Sequence, residues 1–218
     1  MKYIFTLLAA LFLASAGLAQ TVTWCPPGAE WYFNAYHQSF SGYSHVKYEG
    51  DTIIDGQACK RLSERFKGTN YFSGDTSESF KDRYTYESNG VVYALNENPG
   101  QGWDTLYNFN AVPGDGWRIK DSYGDYFYFQ ISDTGSTTKQ GYQLKWFNGW
   151  ISYTDVVWST DTIFERIGMS GNIIGGLTPV FAFANSLCNY SDSSFTNWPN
   201  SDAFCAVLPP VSRPEEIS

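Results

Sequence analysis

The stretch 48–62, YEGDTIIDGQACKRL, places Asp51 and Asp55 beside Gly50 and Gly56, and closely spaced carboxylates raise the question of a cation. A calcium loop needs several oxygen ligands in a pattern such as D-x-[DN]-x-[DN]-G with a later Glu. Here Ile53 and Ile54 stand where further ligands would be wanted. Asp and Gly are also what a tight connection uses, since Asp bonds its own backbone and Gly accepts unusual dihedrals. The stretch reads as a turn between strands.

Paired acids elsewhere would suit glycoside hydrolysis, which needs two carboxyl groups roughly 5–10 Å apart. Glu78, Asp82, Glu87, Asp104 and Asp155 are the candidates, and nothing in the sequence selects a pair. The chain has two histidines, His37 and His45, whose spacing fits no zinc motif; both read as strand residues. Gly168-Met169-Ser170-Gly171-Asn172 resembles the nucleophile elbow G-x-S-x-G only in part. Asn172 takes the place of the final Gly, so a glycine-rich turn is expected. No catalytic residue, metal ligand or cofactor site emerges.

The aromatic content is more telling: 8 Trp, 16 Tyr and 16 Phe in 218 residues. Rings suit strands and cores, but Trp and Tyr also offer flat faces with a polar edge to a ligand. Trp146, Trp150, Tyr153 and Trp158 cluster in sequence and form the candidate ligand-binding set. Packing is the competing explanation for them.

The start of the chain bears on compartment. Lys2 precedes an apolar run from Ile4 to Ala16, then Gly17-Leu18-Ala19, which is the pattern of a secretory signal peptide. Cleavage after Ala19 leaves one β domain over 20–208 and a Pro-rich tail over 209–218, with no membrane span. The expected location is secreted or periplasmic. The remaining chain has 13 basic and 22 acidic residues. Its basic residues form no run able to track a phosphate backbone, which argues against nucleic acid as a partner.

Four cysteines, Cys25, Cys59, Cys188 and Cys205, favour disulfides in an exported chain, and three pairings are open. The polar loop between Cys188 and Cys205 has little else to order it. That favours Cys188–Cys205, with Cys25–Cys59 as the second bridge.

Many short β runs separated by Gly, Asn and Asp indicate an antiparallel all-β domain, a sandwich or a barrel-like meander. Asn89-Gly90 is expected to join strands at 84–87 and 91–95, and Asn148-Gly149 to join 142–147 and 150–158. That second hairpin would put Trp146 and Trp150 on facing strands. DYFYFQIS (125–132) alternates Phe127, Phe129 and Ile131 with Tyr126, Tyr128 and Gln130, as a strand with one dry face does.

GDTIIDGQACKRL, GVVYAL, DTLYNFNAVPGD, FERIGMSGNIIGGL and LCNYSD, with the final Cys, follow in order from Trp31 to Cys205. In that order they resemble exported β-rich modules of Bacteroidetes proteins of the type IX secretion system. The resemblance implies a surface-associated β module with no known catalytic residues, followed in other members by a C-terminal sorting domain. Arg166 stands where the family pattern has a Gly. The expectation is a non-enzymatic interaction module whose partner is a glycan or another surface protein. The alternative is a carbohydrate-binding module or a glycoside hydrolase.

Overall fold

The structure is a computed structural model describing residues 22–37, 40–96, 102–120, 126–153, 156–169, 184–196 and 198–199. The expected signal peptide, the tail and Cys205 lie outside these residues. Among the described residues every regular element is a strand, as the sequence predicted. The order is β1 (Glu30–His37), β2 (Phe40–Ile54), β3 (Gln57–Asn70), β4 (Thr76–Ser88), β5 (Val91–Leu95), β6 (Trp103–Asn108), β7 (Gly116–Lys120), β8 (Tyr126–Lys139), β9 (Tyr142–Tyr153), β10 (Val156–Phe164), β11 (Gly168–Met169), β12 (Ala184–Ser191) and β13 (Trp198–Pro199). They form two antiparallel sheets, ordered β13-β12-β1-β2-β3-β4-β5-β6 and β11-β10-β9-β8-β7.

One apolar core joins the sheets. Trp31, Leu62, Val92 and Tyr107 of the first sheet share it with Phe129, Ile131, Phe147, Ile151 and Ile163 of the second. Indole groups fasten the layers: Trp31 Nε1 donates to the Ile167 carbonyl at 2.7 Å, and Trp117 Nε1 to the Leu106 carbonyl at 3.2 Å. Buried indole N–H groups need such partners, which is why a carbonyl meets each ring.

Two expected turns are present, but of the 48–62 stretch only Asp55-Gly56 turns; Gly50 to Ile54, expected to belong to the turn, continue β2, with a bulge between Tyr48 and Gly50. Asp55-Gly56 closes β2–β3 with φ of 49° and 80°, and Asn89-Gly90 closes β4–β5 with φ of 51° and 74°. Positive φ at both central residues is what a two-residue hairpin turn requires.

The hairpin expected at Asn148-Gly149 is absent. β9 runs straight through it, and the chain reverses earlier, at Gln140-Gly141, with φ of 47° and 84°. Gly149 serves packing instead. A Cβ there would lie 2.4 Å from the Gln130 carbonyl oxygen and 2.6 Å from the Phe129 ring, so only glycine fits.

The Cys25–Cys59 bridge is also absent: both thiols are free and buried. Cys25 sits in the shared core, near Tyr48, Asp51 and Lys60. Cys59 is one residue from Lys60 on β3, so strand alternation turns it to the other face. Cys188 is disulfide-bonded; its expected mate, Cys205, falls outside the described residues.

Candidate functional site

The correction at Asn148-Gly149 changes what the tryptophans do. Trp146 and Trp150 lie on one strand, four residues apart, so both project to the same side. Phe147, Gly149 and Ile151 between and beyond them are buried on the opposite side, while Trp146 and Trp150 themselves are half-buried. The strand rise places the two tryptophans roughly 13 Å apart.

Pairing supplies their neighbours. Gln130 of β8 and Thr160 of β10 flank Trp150; Gly135 and Phe164 flank Trp146. Between the two tryptophans, Asn148 lies across from Asp133 and Thr162. Two residues past Trp150, Ser152 lies opposite Tyr128. The register bends at a bulge between Ile131 and Asp133, which keeps Ile131 inside while re-aiming the outer row.

The rings lie across the sheet. A Cβ on Gly135 would fall 2.4 Å from Trp146 Cζ2 and 2.6 Å from Cε2, so the indole rests on bare glycine backbone. Tyr128 rests likewise on Gly116, where a Cβ would meet its hydroxyl at 2.6 Å. Trp150 Nε1 donates to Gln130 Oε1 at 3.1 Å, which draws that ring toward β8. Trp146 and Trp150 lean from β9 onto β8, and Tyr128 from β8 toward β7. Asn148 Oδ1 accepts from Thr162 Oγ1 at 2.6 Å, which fixes the amide between the tryptophans.

By alternation Tyr142 and Leu144 share this side of β9, but there it is closed. Arg166 stacks over Tyr142 at 4.2 Å, and Phe195 meets the same ring at 6.0 Å. The open surface therefore begins at Trp146. Of the four aromatic residues singled out in the sequence, Trp146 and Trp150 come together on it. Tyr153 and Trp158 fall in β9 and β10, with side chains outside the described set. Tyr128, Gln130 and Asn148 were not in that set. The alternation of 125–132 had already put Tyr128 and Gln130 on the wet face of their strand.

A separate concavity has a volume of about 330 Å³ and is lined by Trp24, Asp51, Cys59, Lys60, Glu87 and Asn89 among others. Its charges serve the fold. Asp51 accepts from Lys60 Nζ at 2.8 Å and from the Tyr48 hydroxyl at 2.9 Å, and these bonds hold its carboxyl below the usual range. Glu87 accepts the Trp24 backbone N–H at 2.9 Å. Burial raises the Cys59 thiol, so it is not an activated nucleophile.

The remaining acids of the sequence argument are dispersed. Glu78 pairs with Arg65, and Asp104 accepts from Asn96 at 2.7 Å. Glu78, Asp82 and Glu87 are spread along β4, where neighbours four or five residues apart stand roughly 13–17 Å from each other. Asp155 and Ser170 lie outside the described residues, as does the side chain of His37. His45 stacks on Tyr32 at 4.1 Å, and burial lowers its pKa despite Glu30 at 3.6 Å. A neutral, stacked imidazole on a strand matches the structural role expected of it.

No protein-family model matches the chain, and no curated protein does. Among solved structures, a protein from Parabacteroides distasonis ATCC 8503, provisionally classed as a lipoprotein, aligns over 78% of this chain and 98% of its own. The identity is 13% and the TM-score 0.31. No helix among the described residues is long and apolar enough to cross a membrane.

Proposed function

We propose that this chain is an exported, non-enzymatic β module that works by binding, with the outer face of the second sheet as its working surface. The observation that carries the reading is the placement of Trp146 and Trp150, both only half-buried, on one side of a single strand together with the exposed Tyr128 of the next strand. Large rings left partly exposed on one face, with Trp146 and Tyr128 each resting on a glycine, favour a ligand over internal packing. The signal-like start of the sequence and the disulfide at Cys188 support a location outside the cytoplasm. The sequence resemblance supports an association with the cell surface.

Incubating the full chain with polysaccharides and envelope proteins tests the reading. The ligand should be retained and recovered chemically unchanged, and Trp150→Ala should weaken retention. New reducing ends, or binding untouched by both Trp146→Ala and Trp150→Ala, would contradict it.

A further inference from the structure

Resting on that reading, we infer that the ligand of this face is an uncharged, extended oligosaccharide chain lying along Trp146, Trp150 and Tyr128. A pyranose ring has an apolar C–H face and a rim of hydroxyl groups. Its recognition calls for a flat apolar surface with amides and hydroxyls at the edge. The face supplies both. Trp146 and Tyr128 lie across Gly135 and Gly116, so each is supported from below by backbone, with Tyr128 exposed and Trp146 half-buried. Gln130 and Asn148 engage their oxygens within the sheet, with Trp150 and Thr162 respectively. That leaves each NH₂ group as the end available to sugar hydroxyls.

Length and charge narrow the class. From Trp146 past Trp150 to the Tyr128–Ser152 pair is six residues of strand, roughly 20 Å, longer than a single sugar. The middle of the face carries Gln130, Asn148, Trp150, Thr160 and Thr162, none of them charged. Asp133 and Arg118, of opposite sign, share the face by register with Asn148 and Tyr128. The chain as a whole is net negative, −8, which repels an acidic polysaccharide. A neutral chain meets neither obstacle.

Affinity electrophoresis of the full chain tests this, through gels containing soluble β-glucan, β-xylan, β-mannan or polygalacturonate. The native protein should be retarded by at least one neutral polymer and not by polygalacturonate. Trp150→Ala should weaken that retardation about tenfold or more, equivalent to about 1.4 kcal/mol. Trp150→Phe and Gly135→Ala, each checked for native melting, cover the case in which the alanine variant fails to fold. The phenylalanine variant should retain part of the affinity, and Gly135→Ala should lose affinity because a Cβ lifts the Trp146 ring.

Failure on all three neutral polymers, retention by polygalacturonate instead, or equal retardation of the variants would overturn the inference. Should no glycan bind while a protein partner is lost with Trp150→Ala, the ligand class is wrong and the binding face stands. Binding of every kind unaffected by these substitutions would remove both.

Discussion

Arg166 shows how one residue can hold a costly backbone conformation and still be explained. Its φ is 73°, in the left-handed region where glycine costs least. Its guanidinium offsets the strain. Nε and an NH₂ group donate to the two oxygens of Asp192 at 2.8 and 2.7 Å, and Tyr190 donates to the same carboxylate. Burial works against the Asp192 charge, but these bonds and the Ser194 N–H outweigh it and hold its pKa below the usual value. The pair ties the turn after β10 in one sheet to the chain after β12 in the other.

Arg166→Ala leaves a buried carboxylate without its partner and should cost roughly 3–5 kcal/mol in denaturant unfolding. Arg166→Ala combined with Asp192→Ala should cost less than the two single losses added together. The depressed Asp192 pKa means the folded state binds fewer protons than the unfolded one near that pKa. Its stabilisation is therefore present above about pH 4 and lost as the pH falls through the folded value. Asp192→Asn should flatten the acid side of a stability-against-pH curve.

Elements show where sequence was legible. Asn89-Gly90 and Asp55-Gly56 were readable as turns because positive φ leaves a residue signature. Asn148-Gly149 carries the same letters for a different reason, the close approach of Phe129 and the Gln130 carbonyl, which no local pattern reveals. Gln140-Gly141 was missed because Gln is a poor marker of positive φ. The alternation of 125–132 was readable as a strand with one dry face, and Phe127, Phe129 and Ile131 are indeed buried. The length of β4 was not legible: Thr76 to Asp82 are exposed on both faces, so no alternation marks them.

The glycines separate packing from binding. Gly149→Ala drives a methyl into a backbone oxygen that cannot give way, and should destabilise by about 1–3 kcal/mol. The nearest atoms that Gly135→Ala meets belong to the movable Trp146 side chain, so its melting temperature should change less. A larger loss for Gly135→Ala than for Gly149→Ala would contradict these placements.

At the scale of the molecule, the all-β class was legible in the sequence, but which faces of the strands stay exposed was not. That depends on how two sheets of eight and five strands share one core. The same layering explains the free cysteines. Cys25 is fully buried in the shared core and Cys59 lies on the other face of β3, and burial raises both thiols. Cys25 should not react with an alkylating reagent in the native protein but should react in denaturant, as mass spectrometry would record. Rapid native labelling of Cys25 would contradict its place in the core.

The central claim is that binding happens on the outer face of the second sheet. Indole N–H resonances of the isotopically labelled full chain, followed while titrating whichever neutral glycan retards it most, test that claim most directly. Trp146 and Trp150 should shift in proportion to occupancy, while the buried Trp24 and Trp31 stay in place. Shifts at Trp24, which lines the separate concavity beside Asp51 and Lys60, with Trp146 and Trp150 unmoved would place the site elsewhere and contradict the account.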